Sequence, residues 1–322
     1  MSDTVLTEDC LRGAIWGQFV GDAICMGTHW IYNLEELQRL YPDGLHGFEA
    51  PHSGHYHDGK QPGDFTHYGD GALVLLESVA ACGGLDAGDY GRRFVARFGS
   101  PEYTGYLDKA TRGTLENFRV FQEESPEGTF DFQQGADDDQ LATASRLAPV
   151  VAVGYDDPEL PRIAVRATRV CQRNRRAEAY MQAHARLLAE LIRGRDEHTA
   201  LHRVEEMVVR DDPEAGAEVR RKIRDGMQAA GKGVEESTLE FGQACPLGSS
   251  FPSAIHCFVT HAGSYPDAVL ATLRAGGDSA GRAAMIGAWL GARLGMEAIP
   301  AEWRKRLRAH DRIAACVEAI VT

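Results

Sequence analysis

The chain has 322 residues, 43% of them hydrophobic, and its 34 basic and 47 acidic side chains give a formal net charge of −13. This length and composition are sufficient for one large hydrophobic core or two small ones. The acidic surface argues against nucleic acid and anionic membranes as partners, although backbone amides can still bind a phosphate.

Helical periodicity dominates the sequence, and strand alternation is nearly absent. We therefore predict an all-α protein, with a single domain over residues 1–322 and no repeat or linker. The predicted helices are, in chain order, Leu11–Met26, Ala72–Cys82, Leu141–Val153, Arg162–Cys171, Arg176–Ile192, His198–Val209, Ala215–Gly226, Ser253–Ala262, Tyr265–Arg274, Ala280–Leu294 and Pro300–Val321.

The first helix and the late helix each carry a stripe of glycines spaced four residues apart. The two stripes are Gly13, Gly17 and Gly21, and Gly287, Gly291 and Gly295. A glycine inside a helix costs about 1 kcal/mol relative to alanine, so a stripe indicates close backbone packing. We predict that the two helices pack antiparallel in the middle of the bundle and bring Asp22 near Asp278.

Residues 41–70, YPDGLHGFEAPHSGHYHDGKQPGDFTHYGD, are rich in glycine, proline and histidine and show no period. Five of the chain's twelve histidines lie here: His46, His52, His55, His57 and His67. A long irregular segment in a compact domain is usually functional. We predict that it forms a wall or lid over a site.

Four segments place small residues next to acids at predicted helix ends: Gly21–Asn33, Thr66–Ser78, Gly135–Val150 and Gly276–Ala283. An aspartate before a helix is favoured as an N-cap by about 1 kcal/mol, which is the simpler interpretation of any single segment. Capping does not account for the consecutive Asp137, Asp138 and Asp139, because only one of the three can be the N-cap and the other two side chains must point elsewhere.

The seven cysteines are scattered, odd in number and form no CxxC motif. No secretory signal and no apolar run long enough to cross a bilayer is recognised in the sequence. We therefore expect reduced thiols, a cytoplasmic protein and no membrane partner. A catalytic cysteine is an alternative, but a free cysteine is more often a small core residue.

In this order, the acid-bearing segments resemble those of the ADP-ribosylglycohydrolase family. The resemblance rests on GDA at residues 21–23, Y-x-D at 68–70, R-x-A-P at 146–149 and GGDSAGRAAMIGAWLGARLGMEAIPAEW at 276–303. It extends from about Leu11 to about Trp303. HWIY at residues 29–32 and GADDDQ at 135–140 look more similar to the branch that contains the J1 crystallins and their selenoprotein relatives.

The resemblance implies an orthogonal helical bundle of this family's type, a two-magnesium site and cleavage at ribose C1″. The sequence departs from the family's usual metal ligands. The acid expected after GDA falls on His29, the T-D-D run falls on residues 68–70, and D-x-D-T falls on residues 278–281, so only Asp70 and Asp278 remain. Magnesium requires oxygen ligands in near-octahedral shells. We therefore expect no metal or a single Mg²⁺, with Asp70 and Asp278 as the candidate ligands.

We predict a hydrolase that cleaves a ribosyl or ADP-ribosyl N- or O-glycosidic bond in a small-molecule or ADP-ribosylated substrate. Such cleavage uses one carboxylate to stabilise or attack the sugar and one acid to protonate the leaving group. The candidate catalytic residues are Asp70, Asp278, Asp138 and Asp139. The candidate substrate-binding residues are Asp22, His29, Trp30, Tyr32, Asp137, Gly276, Gly277 and Arg282, with the two aromatic rings expected to stack on a base or ribose and Arg282 to bind phosphate or balance the acids.

Two alternatives remain open. His29, His55 and His57 together with Asp70 would suit a borderline metal such as zinc. In the other alternative, the protein is a non-catalytic structural or ligand-binding protein that has kept the fold. The adjacent acids, the glycine stripes and the histidine-rich segment favour an enzyme.

Overall fold

The computed structural model describes residues 3–321 and confirms the all-α prediction. Within this range, sixteen α-helices are joined by turns and irregular segments, and there are three isolated β-bridges but no β-strand. The helices are α1 (Asp3–Cys25), α2 (Leu34–Leu40), α3 (His67–Cys82), α4 (Ala87–Phe98), α5 (Lys109–Glu124), α6 (Ala148–Gly154), α7 (Leu160–Arg169), α8 (Arg175–Ile192), α9 (Glu197–Asp211), α10 (Ala215–Gln228), α11 (Val234–Phe241), α12 (Leu247–Thr260), α13 (Tyr265–Arg274), α14 (Ser279–Leu294), α15 (Ala301–Arg306) and α16 (His310–Ile320).

Helices α1 and α14 pack antiparallel through their glycine stripes. A Cβ atom added to Gly13 would overlap the carbonyl group of Gly291, and one added to Gly17 would overlap that of Gly287. Gly21 meets Ala283 in the same way. The backbones are therefore in direct contact along this face, and the predicted close packing of these two helices is confirmed.

Several predicted helix boundaries are wrong, for local reasons. Helix α3 begins at His67 rather than Ala72, because the Thr66 side chain caps it by accepting the N–H of Tyr68. Residues 141–146 form turns, and the helix begins only at Ala148 with proline in its first turn. The predicted helix Pro300–Val321 is two helices, interrupted where the backbone N–H of Arg308 donates to Gly63.

Four helices were not predicted: α2, α4, α5 and α11. Both α4 and α5 are amphipathic, with mostly charged exposed faces and glycines that lower helix propensity. Side-chain caps mark their starts, since Asp86 accepts the N–H of Asp89 and Asp108 accepts the N–H of Thr111. Tertiary packing of one apolar face outweighs the weak local propensity of these segments.

The irregular segment between α2 and α3, residues 41–66, packs against the end of α1. The N–H of Phe48 donates to Ile24 at 3.3 Å, and the Tyr41 hydroxyl donates to the carbonyl oxygen of Gly27 at 2.7 Å. His55 and His57 are buried. The segment therefore forms a wall beside the junction of α1 and α14, and its role as a lid stays a prediction.

The seven cysteines are free thiols. Among the described helices, none combines the length and the apolar character that crossing a membrane requires.

Candidate functional site

The candidate site begins at the turn before α14. Gly276 and Gly277 have φ of 65° and 62°, a left-handed conformation that a side chain would strain. The N–H of Gly277 donates to Ile31 at 2.8 Å, and its carbonyl accepts the N–H of Trp30 at 2.7 Å. The N–H of Gly276 is directed to Leu273 at 3.3 Å. Both amides expected to approach a ligand are thus bonded within the protein, and the turn holds residues 30–31 against α14.

Asp278 is the N-cap of α14 and is completely buried. One carboxylate oxygen, Oδ2, accepts the Tyr68 hydroxyl at 2.8 Å and the indole N–H of Trp30 at 3.4 Å. The other, Oδ1, accepts the N–H of Gly281 at 3.2 Å. Burial raises the pKa of Asp278, and the hydrogen bonds from Cys245, Tyr68 and Trp30 together with the charge of Arg282 oppose that rise.

Arg282 lies one turn after Asp278 and is also buried. Its guanidinium donates to the carbonyl oxygens of Gln243 at 3.1 Å and Gly276 at 2.5 Å. Burial lowers its pKa, and the nearby Asp278 carboxylate opposes this. The geometry gives Arg282 a positioning role at the turn, while binding of phosphate by this side chain stays a prediction.

Three buried histidines meet beside Asp278. They are His29 after α1, His57 in the irregular segment and His67 at the start of α3. One ring nitrogen from each can be chosen so that all three lie within 4.8 Å of one another. The ring centroids of His29 and His57 are 5.6 Å apart, and that of His67 is 6.0 Å from each.

His55 lies next to this cluster and has a different role. Its Nε2 lies 2.6 Å from the carbonyl oxygen of His29, and its Nδ1 accepts the backbone N–H of His57 at 3.1 Å. Both ring nitrogens therefore bind backbone, and His55 holds the segments that carry His29 and His57 together.

Three aromatic rings form an aromatic cover beside this histidine cluster: Trp30 and Tyr106, which contact it, and Tyr56, which packs on both of them. Trp30 is 5.0 Å from Tyr56 and 4.7 Å from Tyr106 between centroids, and its ring lies 5.2 Å from that of His67. Trp30 has φ of 66°, a conformation that non-glycine residues rarely adopt and that concentrates at functional sites. Tyr32, 44% exposed, lies beside Cys245, and burial raises its pKa.

Asp70 lies on a different side of α3 from Tyr68. Its Oδ2 accepts Lys60 Nζ at 2.8 Å and the Tyr103 hydroxyl at 3.0 Å. It lines a cleft of about 430 Å³ between α3, α4 and the start of α16. Asp70 and Asp278 thus have separate sets of partners.

Asp22 is buried and turns its carboxyl to Thr66, which donates its N–H at 2.9 Å and its hydroxyl at 2.5 Å. Burial raises its pKa to about 7, against the lowering effect of these hydrogen bonds. The ends of α1 and α14 do come together, but the hydrogen bonds of the Asp22 carboxyl run to the start of α3, and substrate binding by Asp22 stays a prediction.

The three consecutive aspartates point in three directions. Asp137 is exposed and accepts Asn174 Nδ2 at 2.6 Å, while Asp139 accepts Arg176 Nη1 at 2.5 Å in a partly buried ion pair. Asp138 is buried, its Oδ1 accepts Gln172 Nε2 at 2.9 Å, and its Oδ2 has no hydrogen-bond partner among the described residues. Burial raises the pKa of Asp138. Of the three, only Asp138 offers a buried carboxylate oxygen without a hydrogen bond.

Sequence reasoning missed His67, Tyr68 and Tyr106 as functional candidates. His67 and Tyr68 form the first turn of α3, so the misplaced start of this helix concealed them. The signal that identifies them is Thr66, an N-cap residue directly before them. No comparable local signal marks Tyr106, which precedes α5 in an irregular stretch.

Comparisons with known proteins agree with this architecture. The family model for the ADP-ribosylglycohydrolase family matches residues 3–322. Crystallin J1A of Tripedalia cystophora is 25% identical over 331 residues, covering 97% of this chain and 96% of the crystallin. Crystallin J1B of the same organism is 25% identical over 309 residues, covering 93% and 92%. A solved structure described as an ADP-ribosylglycohydrolase-related protein complex superposes with a TM-score of 0.71 and 21% identity, covering 98% of both chains.

Proposed function

Because the chain belongs to the ADP-ribosylglycohydrolase family, we propose that it hydrolyses a ribosyl or ADP-ribosyl N- or O-glycosidic bond. The substrate is a small molecule or an ADP-ribosylated group, and the reaction separates ribose C1″ from its leaving group. Family membership supports the glycohydrolase class, and the bond and substrate are our proposal.

The observation that carries the proposal is the buried carboxyl of Asp278 in its ring of donors. Tyr68 and Trp30 both donate to Oδ2, which favours the anionic form and opposes the rise in the pKa of Asp278 that burial causes. A carboxylate held in this way beside the sugar stabilises the positive charge that develops at C1″ as the glycosidic bond breaks. Perturbed carboxyl groups of this kind are concentrated at functional sites.

We assign the proton donor to Asp138. Its Oδ2 is buried and has no hydrogen-bond partner among the described residues, although Lys109 Nζ lies 3.9 Å away. Burial raises the pKa of Asp138, as it does that of Asp278. The assignment rests on the different hydrogen bonding of the two carboxyls, since Asp278 Oδ2 accepts two donors and Asp138 Oδ2 accepts none among the described residues. Glycoside hydrolysis requires one stabilised carboxylate and one protonated carboxyl.

Substrate access requires the aromatic cover to move, because Asp278 is completely buried. Tyr56, at 63% exposed, and Tyr32, at 44%, present faces on which a base or ribose can stack. Trp30 lies between these faces and the histidines.

Magnesium takes no part in the proposed reaction. The side chains beside Asp278 are the Tyr68 hydroxyl, the Trp30 indole N–H and the His29 imidazole at 3.9 Å, and Asp70 accepts a hydrogen bond from Lys60. Two magnesium ions need several carboxylate or carbonyl oxygens in octahedral shells, and this donor set does not fit that requirement.

A second function is a structural or ligand-binding role without turnover. It is favoured by the complete burial of Asp278 and by similarity to two proteins named as crystallins over nearly their whole length.

The test compares hydrolysis by the wild type and by Asp278→Asn. Release of ADP-ribose from arginine-linked and serine-linked ADP-ribosyl peptides is followed by chromatography. We expect kcat to fall by about 100-fold or more, as for loss of one transition-state electrostatic contact. The matched control is Asp267→Asn, which changes an exposed acid in the first turn of α13 and should leave kcat unchanged.

An Asp278→Asn variant with full turnover contradicts the carboxylate mechanism. If the wild type shows no turnover, calorimetric titration with ADP-ribose separates the alternatives. Binding without turnover supports a ligand-binding protein, and the absence of both supports a structural one.

A further inference from the structure

Beyond the hydrolase, the cluster of His29, His57 and His67 has the composition of a metal site. The three ring centroids form a nearly equilateral triangle with sides of 5.6 to 6.0 Å. The candidate ligand nitrogens lie within 4.8 Å of one another. Three imidazoles around a tetrahedral zinc ion at about 2.0–2.1 Å place their nitrogens about 3.3 Å apart, so zinc binding draws the three nitrogens closer together wherever they exceed that separation.

The hydrogen bonding of these rings is the second observation. His57 Nδ1 and Nε2, His67 Nδ1 and Nε2, and His29 Nε2 have no hydrogen-bond partner among the described residues, and all five atoms are buried. A buried polar atom left without a partner costs about 1–3 kcal/mol. Five such atoms in one cluster therefore cost a large amount of folding free energy if the cluster is only packed core. A bound cation would coordinate three of the five nitrogens and remove the cost for those three.

Stacking alone is the simpler account of the cluster, because the rings also contact aromatic neighbours. His29 lies 4.3 Å from Trp30 between centroids, and His67 lies 4.0 Å from Tyr68. Phenylalanine would provide such packing without unpartnered nitrogens. The stacking therefore accounts for the position of the rings but not for their chemistry.

We propose that His29, His57 and His67 bind one divalent metal ion of the zinc class through three imidazole nitrogens. Imidazole suits zinc and its borderline neighbours rather than magnesium. Three protein ligands leave a coordination position for water, as in catalytic rather than structural zinc sites. The neutral imidazole is the form that binds metal.

The surroundings contain acceptors for the ring nitrogens that would not bind the ion. Asp108 Oδ2 lies 3.6 Å from His67 Nε2. His29 Nδ1 lies 3.9 Å from Asp278 Oδ1 and accepts the backbone N–H of Ala280 at 3.4 Å, so metal binding through His29 Nε2 requires Nδ1 to exchange this long contact for donation to Asp278. A carboxylate that accepts the second N–H of a metal-binding histidine fixes its tautomer and orientation. His55 contributes by holding the backbone at His29 and His57. The zinc ligands proposed here include His67, and not the His55 and Asp70 expected from the sequence.

Zinc binding is measured on the untagged full chain, stripped with a chelator and then titrated with zinc in competition with a chromophoric chelator. We expect one zinc per chain and no competition by magnesium. Cobalt should give the intense visible absorption of a tetrahedral nitrogen site. His57→Gln and His67→Gln should each weaken zinc binding by about 100-fold or more, at the upper end of effects seen for zinc-site residues.

The matched control is His46→Gln, which changes an exposed histidine of the same irregular segment and should bind zinc as the wild type does. Circular dichroism shows whether each variant is folded, and zinc should raise the Tm of the wild type and of His46→Gln only, because a ligand stabilises the state that binds it. Zinc bound equally by all variants, or not bound by the wild type, overturns the proposal. The measurement uses no substrate, so its failure is separate from failure of the proposed hydrolase.

Discussion

At the scale of the residue, Asp22 is buried, and among the described residues Thr66 alone donates hydrogen bonds to it. Burial raises its pKa from 3.8 to about 7. Between these values the unfolded chain has released the proton while the folded chain retains it. The free energy of unfolding therefore decreases as pH rises through this window, by about 1.4 kcal/mol per pH unit from this group alone.

Asp22→Asn should remove that dependence, because an amide resembles the protonated carboxyl. We expect the stability of the variant relative to the wild type to increase from about pH 4 to about pH 7. Urea unfolding at several pH values in this range measures the difference. A relative stability that stays constant with pH would mean that Asp22 is ionised in the folded protein.

The site residues differ in whether the sequence alone identifies them. Asp278 is recognisable because a glycine pair precedes it and a regular helix follows it. His29, His57 and His67 are not recognisable as a group, because they lie on three separate segments and only tertiary packing brings them together. The Asp137–Asp139 run shows the same limit, since its side chains have three different environments.

At the scale of the element, the contact between α1 and α14 depends on the absence of side chains. Gly17→Ala would place a methyl group against the carbonyl group of Gly287, which the backbone cannot avoid without moving apart. We expect a loss of about 3 kcal/mol or more in the free energy of unfolding, the upper range for overpacking, despite the better helix propensity of alanine. Chemical denaturation gives this value.

The control for that substitution is Gly263→Ala, where a Cβ atom has no neighbour within 4 Å. It should be nearly neutral. A similar small effect of both substitutions would show that α1 and α14 can separate freely. This contact was predictable because glycines repeated every four residues line one face of a helix and leave its backbone open to a neighbour. The start of α3 was missed, because His67, Tyr68 and Gly69 are not typical of a helix and outweighed the N-cap signal of Thr66.

At the scale of the whole molecule, the chain combines a closely packed helix pair with a wall that has no regular secondary structure. Most backbone hydrogen bonds donated by residues 41–66 lie in turns, such as that from His55 N–H to His52, while Phe48 N–H donates to Ile24 of α1. We expect amide protons there to exchange faster than those of α1 and α14, as measured by hydrogen–deuterium exchange with mass spectrometry. Equal protection in all three regions would contradict a wall that opens locally.

The all-α class and the irregular character of residues 41–66 were predictable from the sequence, because the presence or absence of periodicity is averaged over many residues. The loop's contacts with α1 were not, because each depends on a single pair such as Tyr41 and Gly27. The single domain over residues 1–322 stays a prediction.

The glycine contact between α1 and α14 also fixes how α14 is rotated about its own axis. Asp278 caps this helix, and Gly291 lies thirteen residues further along, about 20 Å away at 1.5 Å per residue. The backbone of α14 contacts that of α1 at Gly291, Gly287 and Ala283, and these contacts allow one rotation of α14 about its axis. Because the helix is rigid, the same rotation applies at its first turn. The direction in which the Asp278 carboxyl points is thus determined at the opposite end of the helix. A methyl group added there would rotate α14 about its axis and reorient Asp278.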